Sequence, residues 1–277
     1  MLRKIRVFPI TNPRVLGLLA ALALPMVLSQ GAEPAKETPT MRLWVAAYYY
    51  PFGDGLKEWE RLMKSNRQVP IVVIVNPASG PGEKADPNFV AVMDKSRKAG
   101  LTLVGYVSSQ YSKKSLDAVK AEVDDWVRLY PKIQGIHVDE QSSEEAKADY
   151  YAALYRYIRS KIPNALVLNN PGAECASAYL SKPAADAVCL FERDKGFEDF
   201  RPPAWAKRFP PGRFGVLAYN VETTDKMREY VRAAVRHRVG YIYFTDAKGA
   251  NPYNRLPTYW DDEVRAVQQI NKAKKAP

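Results

Sequence analysis

The chain has 277 residues, 47% of them hydrophobic, with 41 Lys and Arg against 30 Asp and Glu for a formal net charge of +11. That apolar fraction excludes a disordered chain, and the length is enough to bury one large core. The histidines His137 and His237 and the cysteines Cys175 and Cys189 show no metal-ligand spacing, so neither a metal nor a cofactor is expected.

The first segment reads as an export signal. Arg3, Lys4 and Arg6 precede an apolar stretch from Val15 to Leu28, and Ser29-Gln30-Gly31 offers small residues for cleavage after Gly31. The stretch is shorter than the roughly 20 residues that cross a bilayer. A signal peptide over 1–31, a secreted or periplasmic product and no stable membrane insertion are therefore expected. Residues 32–40, rich in Pro, Thr and Lys, read as a short exposed lead-in. Loss of Arg3, Lys4, Arg6 and Arg14 lowers the net charge from +11 to +7. A basic surface can attract anionic polysaccharide, envelope lipid or nucleic acid. Here the cations are spread over many helices, with no dense run and no nucleic-acid motif, so solubility is the simpler use and no nucleic-acid partner is expected.

From Met41 onward, apolar runs alternate with amphipathic stretches. Strands are predicted over 43–50, 70–75, 101–107, 133–138, 165–168, 187–191, 213–219 and 241–244, and helices over 56–65, 87–99, 115–130, 143–161, 224–238 and 261–272. Leu116, Val119, Val123, Trp126 and Val127 recur at helical spacing, and Gly100 is a suitable stop for the helix that Pro87 begins. Eight short apolar strands separated mostly by helices imply a parallel sheet covered on both faces. The fold class is α/β, a single (β/α)8 TIM-type barrel over 41–277. A doubly wound open sheet is the alternative, but its glycine-rich turn is missing where Tyr48-Tyr49-Tyr50-Pro51-Phe52-Gly53 follows the first strand. Cys189 falls in a core strand and Cys175 in a loop, which disfavours a disulfide between them.

The candidate chemistry lies at the strand ends. Ile136-His137-Val138-Asp139-Glu140 and Ala187-Val188-Cys189-Leu190-Phe191-Glu192 are apolar runs that end in acids. In a parallel barrel such tips carry the active site, and two carboxylates are what acid/base cleavage of a glycosidic bond requires. Adjacent strand residues face opposite ways, so Asp139 and Glu140 can share the mouth only if the strand ends between them. A purely structural role, as helix caps or arginine partners, is the competing use of these acids. Asn76-Pro77-Ala78-Ser79-Gly80-Pro81-Gly82 has neither the Gly-Lys-Ser/Thr ending of a phosphate loop nor the leading glycine of a nucleophile elbow. It reads as a rigid turn presenting Asn76 and Ser79. Tyr48 and Tyr50, Tyr106, Asn170, Tyr219 and Asp246 also fall at strand tips, and together they suit a polysaccharide cleft better than a dinucleotide site. His137 shares a face with Asp139 and is either a packing residue or a group that orients that acid.

Val69-Pro70, the Asn76 to Gly82 turn, Gly105-Tyr106-Val107 with Tyr111, Gly135-Ile136 through Asp139-Glu140, Asn170-Pro171-Gly172 and Phe191-Glu192 occur in the order seen in the spherulin-4 family. The chain resembles that family over roughly 69–192. The family in turn resembles exopolysaccharide-cleaving barrels such as glycoside hydrolase family 135, whose fungal enzyme cuts galactosaminogalactan. The resemblance implies a secreted, endo-acting glycoside hydrolase for an α-1,4-linked polymer of galactosamine and N-acetylgalactosamine. By analogy with retaining relatives, Asp139 would be the nucleophile, Glu192 the general acid/base and Glu140 a group that positions substrate or tunes its neighbours. Residues 194–211 depart from the family pattern, and a basic protein is an unexpected match for a cationic polymer. A non-catalytic polysaccharide-binding barrel and an envelope-associated protein are the alternatives. A monomer is the default.

Overall fold

Short runs of Val, Ile and Leu pair side by side into a parallel barrel that closes on itself. The structure, a computed structural model, describes residues 40–274; the expected signal over 1–31 and all of the lead-in except Thr40 lie outside the described residues. The strands are β1 (Arg42–Ala47), β2 (Ile71–Val75), β3 (Thr102–Ser108), β4 (Gly135–Asp139), β5 (Leu166–Asn169), β6 (Ala187–Arg193), β7 (Phe214–Ala218) and β8 (Tyr241–Phe244). They are hydrogen-bonded in sequence order, and β8 returns to β1. The helices are α1 (Asp54–Ser65), α2 (Pro87–Lys98), α3 (Leu116–Leu129), α4 (Ala148–Lys161), the single turn α5 (Ala178–Ser181), α6 (Thr224–Arg236) and α7 (Trp260–Ala273). None of the described helices is long and apolar enough to cross a membrane.

Local chemistry sets the helix starts. The Asp86 carboxylate accepts from the Asn88 and Phe89 amides ahead of α2, and Ser115 and Thr223 hydroxyls accept from Ala118 and Lys226 ahead of α3 and α6. Each such cap is worth about 1 kcal/mol. The core has two shells. Inside the barrel, Trp44 meets His137 and Tyr241 edge-on at 5.4 and 5.8 Å. Gly215 makes room for it, because a Cβ there would lie 2.6 Å from the Trp44 ring. Outside the barrel, Trp126 of α3 presses on Gly105, where a Cβ would come within 2.5 Å of the indole, and its Nε1 donates to the Tyr106 carbonyl at 2.8 Å.

The differences from the sequence expectation are at the ends. β1 stops at Ala47, three residues early, as the Tyr48 amide turns to the Tyr253 carbonyl in the β8–α7 loop. The helix expected over 143–161 begins with a 3-10 turn, Glu145–Lys147, before α4 proper. Between β6 and β7, where no helix is predicted, the chain forms two 3-10 turns, Ala204–Arg208 and Pro211–Arg213. Cys175 and Cys189 are both buried and unbridged.

Candidate active site

Asp139 is the last residue of β4, and Glu140 follows it with φ +50°. The left-handed residue breaks the alternation of faces, so the strand does end between the two acids. Such a backbone is costly for a side-chain-bearing residue and persists only where neighbours hold it. Ser109, just past β3, supplies that support. Its amide donates to the Asp139 carbonyl at 3.0 Å, and its hydroxyl donates to the Asp139 and Glu140 carbonyls at 3.1 and 2.8 Å. The Glu140 carboxylate accepts from the Ser108 hydroxyl.

Glu192 reaches the mouth by a different device. The pairing of β6 with β7 slips between Cys189 and Phe191. One extra residue reverses the alternation beyond it. Phe191 packs outward against Phe197 and Phe200, at 5.1 and 5.5 Å between ring centres, and Glu192 turns to the axis.

The two acids meet at Asn170, just past β5. Its Nδ2 donates to Asp139 Oδ1 at 2.9 Å and also to Glu192 Oε2. Two carboxylate oxygens sharing one donor are separated by no more than two hydrogen-bond lengths, roughly 6 Å. The second oxygen of each acid has its own phenol: Tyr106 donates to Asp139 Oδ2 at 2.8 Å and Tyr253 to Glu192 Oε1 at 2.6 Å. Burial, and after it the charge of Asp139, pushes the Glu192 carboxyl up, and the Tyr253 and Asn170 hydrogen bonds only partly oppose this. Tyr253 itself is raised well above 10 by burial and by Glu192, so it stays a proton donor.

These residues sit between two lobes of a cleft. One lobe, about 570 Å³, is lined by Tyr48, Asn76, Ser79, Tyr106 and His137 among others. The second, about 430 Å³, is lined by Tyr111, Glu140, Pro171, Gly172 and Tyr219. Asp139, Asn170, Glu192 and Tyr253 belong to both lobes. Among the described residues lining either lobe there is no lysine or arginine. A larger cavity, about 620 Å³, lies at the opposite strand ends around Arg42, Pro70 and Gln134, away from every one of these acids.

Most of the residues expected at the site are brought together, and two are not. Tyr50 is half exposed and its hydroxyl pairs with Asp86 and Asn88 at the start of α2, outside the cleft lining. With β1 ending at Ala47, strand alternation no longer governs where Tyr50 points. Asp246 is likewise engaged elsewhere: it accepts from Arg255 at 2.8 Å and from the Thr258 hydroxyl at 2.7 Å, tying the β8–α7 loop. His137 faces Asp139 across 3.9 Å, beyond hydrogen-bond reach, and burial lowers it to about 4, so it is neutral packing beneath the acid. Asn76 spends its carbonyl on the Gly80 amide at 2.9 Å, and Ser79 adopts φ +51° in the same turn.

Among the cleft residues outside the expected set are two tyrosines. Tyr253 lies in the β8–α7 loop, a place where barrel enzymes keep site residues, and its position there is the one signal for it. Tyr111 stands half exposed on a stretch, Gln110, Tyr111 and Ser112, in which all three φ are positive. Its amide donates to the Glu140 carbonyl at 2.6 Å. Among the described residues, no group of three or more His, Cys, Asp or Glu is arranged to hold a metal ion.

A closed eight-stranded parallel barrel with carboxylates gathered at the carboxyl ends of its strands defines the chain as a TIM-type barrel with an acidic mouth. The chain belongs to the spherulation-specific family 4, Spherulin4, whose family model matches residues 42–267. Spherulin-4 of Physarum polycephalum is 28% identical over 249 residues, covering 86% of this chain and 73% of that protein. The barrel superposes on Aspergillus clavatus Sph3, solved in complex with GalNAc, with a TM-score of 0.71 at 23% identity, over 83% of this chain and 98% of that one. A Pyrococcus furiosus chitinase domain, solved with chito-oligosaccharides, matches with a TM-score of 0.54 at 11% identity, over 86% of this chain and 97% of that one.

Proposed function

We propose that this chain is an exported, endo-acting glycoside hydrolase that cleaves an amino-sugar exopolysaccharide, with α-1,4-linked galactosamine and N-acetylgalactosamine as the preferred composition. The observation that carries the reading is the Asn170 amide held between Asp139 and Glu192 at the junction of two cleft lobes. Acids placed midway along a cleft leave room for sugar units on both sides of the scissile bond, which suits internal cleavage. The GalNAc bound by Sph3 and the chito-oligosaccharides bound by the chitinase support an amino sugar as ligand. The positive charge of the protein is not placed at the cleft, whose described lining residues include no lysine or arginine and do include Asp139, Glu140 and Glu192.

The chemistry follows from the two environments. Glu192, whose carboxyl burial pushes up from the ordinary carboxylate range, is the acid that delivers a proton to the glycosidic oxygen as the bond to the anomeric carbon breaks. Asp139, oriented by Tyr106 and Asn170, attacks that carbon and forms a glycosyl ester. Glu192, now ionised, takes a proton from water, which opens the ester and returns Asp139 as carboxylate. Carboxylates within roughly 6 Å of each other fit the ~5–5.5 Å of a retaining pair better than the wider inverting gap. Glu140, fixed by Ser108, lines the second lobe and is placed to bind a sugar hydroxyl or ammonium. The chain works as a monomer in this reading.

The test is reducing-end release from partly deacetylated α-1,4-galactosaminan and a panel of anionic polymers, comparing wild type with Glu192→Gln. Release by wild type alone is expected. Equal release by both proteins, or saturable binding with no release by either, would replace the hydrolase with an unrelated activity or a binding barrel.

A further inference from the structure

We propose that a pocket at the end of the barrel opposite the acids binds a phosphate-type dianion. It lies between the carboxyl end of α6 and the β6–β7 connection, next to Phe214, the first residue of β7. Arg201 and Lys207 come from the connection, and Arg236, His237 and Arg238 from the end of α6. The pocket holds about 250 Å³, with Pro202, Pro203, Ala206 and Phe214 as its apolar wall.

Four formal cations converge here, and no carboxylate among the described residues is within ion-pair distance of any of them. Two of them hydrogen-bond to backbone carbonyls. Arg201 donates to the Glu198 and Phe200 carbonyls at 2.9 and 2.8 Å, and Arg238 donates at 3.4 and 3.5 Å to the Lys207 and Phe209 carbonyls. Cations at a helix carboxyl end favour the helix dipole, which accounts for Arg236 and Arg238. It does not account for Arg201 and Lys207, which bring further positive charge to the same point from a separate segment. Arg238 also has φ +57°, in a position after a helix where glycine is the unstrained choice. The His237 ring is packed on Phe200 at 5.7 Å and is lowered first by burial and then by the neighbouring Arg201 and Arg236.

The ligand follows from charge and size. A single carboxylate would leave most of the four charges uncompensated. A phosphate monoester carries close to two negative charges at neutral pH and three acceptor oxygens, which match the planar forks of several guanidiniums. The apolar wall gives a short organic group on that phosphate a surface to lie against. A free phosphate ester and a lipid headgroup share this chemistry.

The experiment titrates the full-length chain with inorganic phosphate at constant ionic strength, and measures co-sedimentation with phosphatidic acid vesicles against phosphatidylcholine vesicles. The variants are Arg201→Gln with Arg236→Gln, and, as an equal charge change elsewhere, Lys84→Gln with Lys132→Gln. All four positions are exposed, and unchanged thermal melting confirms folding of each variant. The expected result is phosphate binding by wild type and the lysine variant, weakened at least about tenfold in the arginine variant. Capture by phosphatidic acid vesicles with the same variant dependence would name a lipid headgroup as the source. Absence of both kinds of binding in wild type, or equal weakening in the two double variants, overturns the site.

Discussion

Two glutamates of this barrel, one fully buried and one half-buried, are pushed up by desolvation, yet only one stands where chemistry could occur. Glu263 on α7 has no exposed surface, and burial raises it to about 8. Its Oε1 accepts from the Phe244 amide at the end of β8 at 2.9 Å, and its Oε2 has no hydrogen-bond partner among the described residues. Glu192 is also raised by desolvation, but it is only half-buried and has a second acid beside it, two side-chain donors and open volume on either side. Perturbed acidity therefore does not identify the site by itself. Access to a cleft and a partner carboxylate separate the candidate acid from the one that finishes a strand's hydrogen bonding.

Exchanging each acid for its amide is the strongest way to break this comparison. Glu192→Gln keeps the shape and removes the proton, so kcat should fall by about 10²–10⁴-fold with little change in melting temperature. Asp139→Asn should cost at least as much, because no bond to the sugar can then form. Proton NMR of the first-released product should show the anomeric configuration retained. Glu192→Gln activity within tenfold of wild type would assign the acid role to another group.

Glu263→Gln should do the reverse. The amide oxygen can still accept from Phe244, so activity should be unchanged. The effect appears in stability against pH. In the unfolded chain this carboxyl ionises near its ordinary 4.5, whereas in the fold it holds its proton to about 8. Between those values the unfolded state binds fewer protons than the native state, so Glu263 lowers stability progressively from about pH 4.5 to about pH 8 and no further above that. The loss amounts to a few kcal/mol. Urea titrations at several pH values should show Glu263→Gln flattening that decline and exceeding wild type at pH 8. Parallel curves for the two proteins would mean that the carboxyl finds water or a donor on ionising.

The same contrast explains what could be read from the chain. All eight strands and six of the helices were legible, because a parallel barrel needs continuous apolar strands and amphipathic covers, and both leave periodic patterns. Asp139 and Glu192 were legible as acids closing such runs. The means of delivering them was not. The slip in β6 at Leu190 has no composition signal, and strict alternation from Cys189 would have turned Glu192 outward. The left-handed turn at Glu140 depends on Ser109, thirty-one positions away in sequence. Tyr50 and Asp246 were misplaced for a related reason: beyond the last ladder bond the chain follows loop contacts, here to Asp86 and to Arg255, that no period encodes. Tyr253 went unseen because its importance rests on a contact with Glu192 across 61 residues.

That contact gives the finest test of how the two glutamates differ. Tyr253 donates to Glu192 Oε1, and this bond favours the carboxylate, drawing the acidity back toward ordinary values against burial and Asp139. Removing the phenol in Tyr253→Phe takes away that opposition, so the Glu192 carboxyl should rise further. A general acid must be protonated to work, and its ionisation sets the alkaline limb of the pH–rate profile. The limb in Tyr253→Phe should therefore move to higher pH, while the rate at the optimum falls by less than about tenfold. A tyrosine that only packs against Tyr48 and Tyr219 would change KM or stability and leave the limb in place. A shift to lower pH would mean that Tyr253 accepts from a protonated Glu192 in the resting enzyme, which would make Asn170 the group that holds its charge in check.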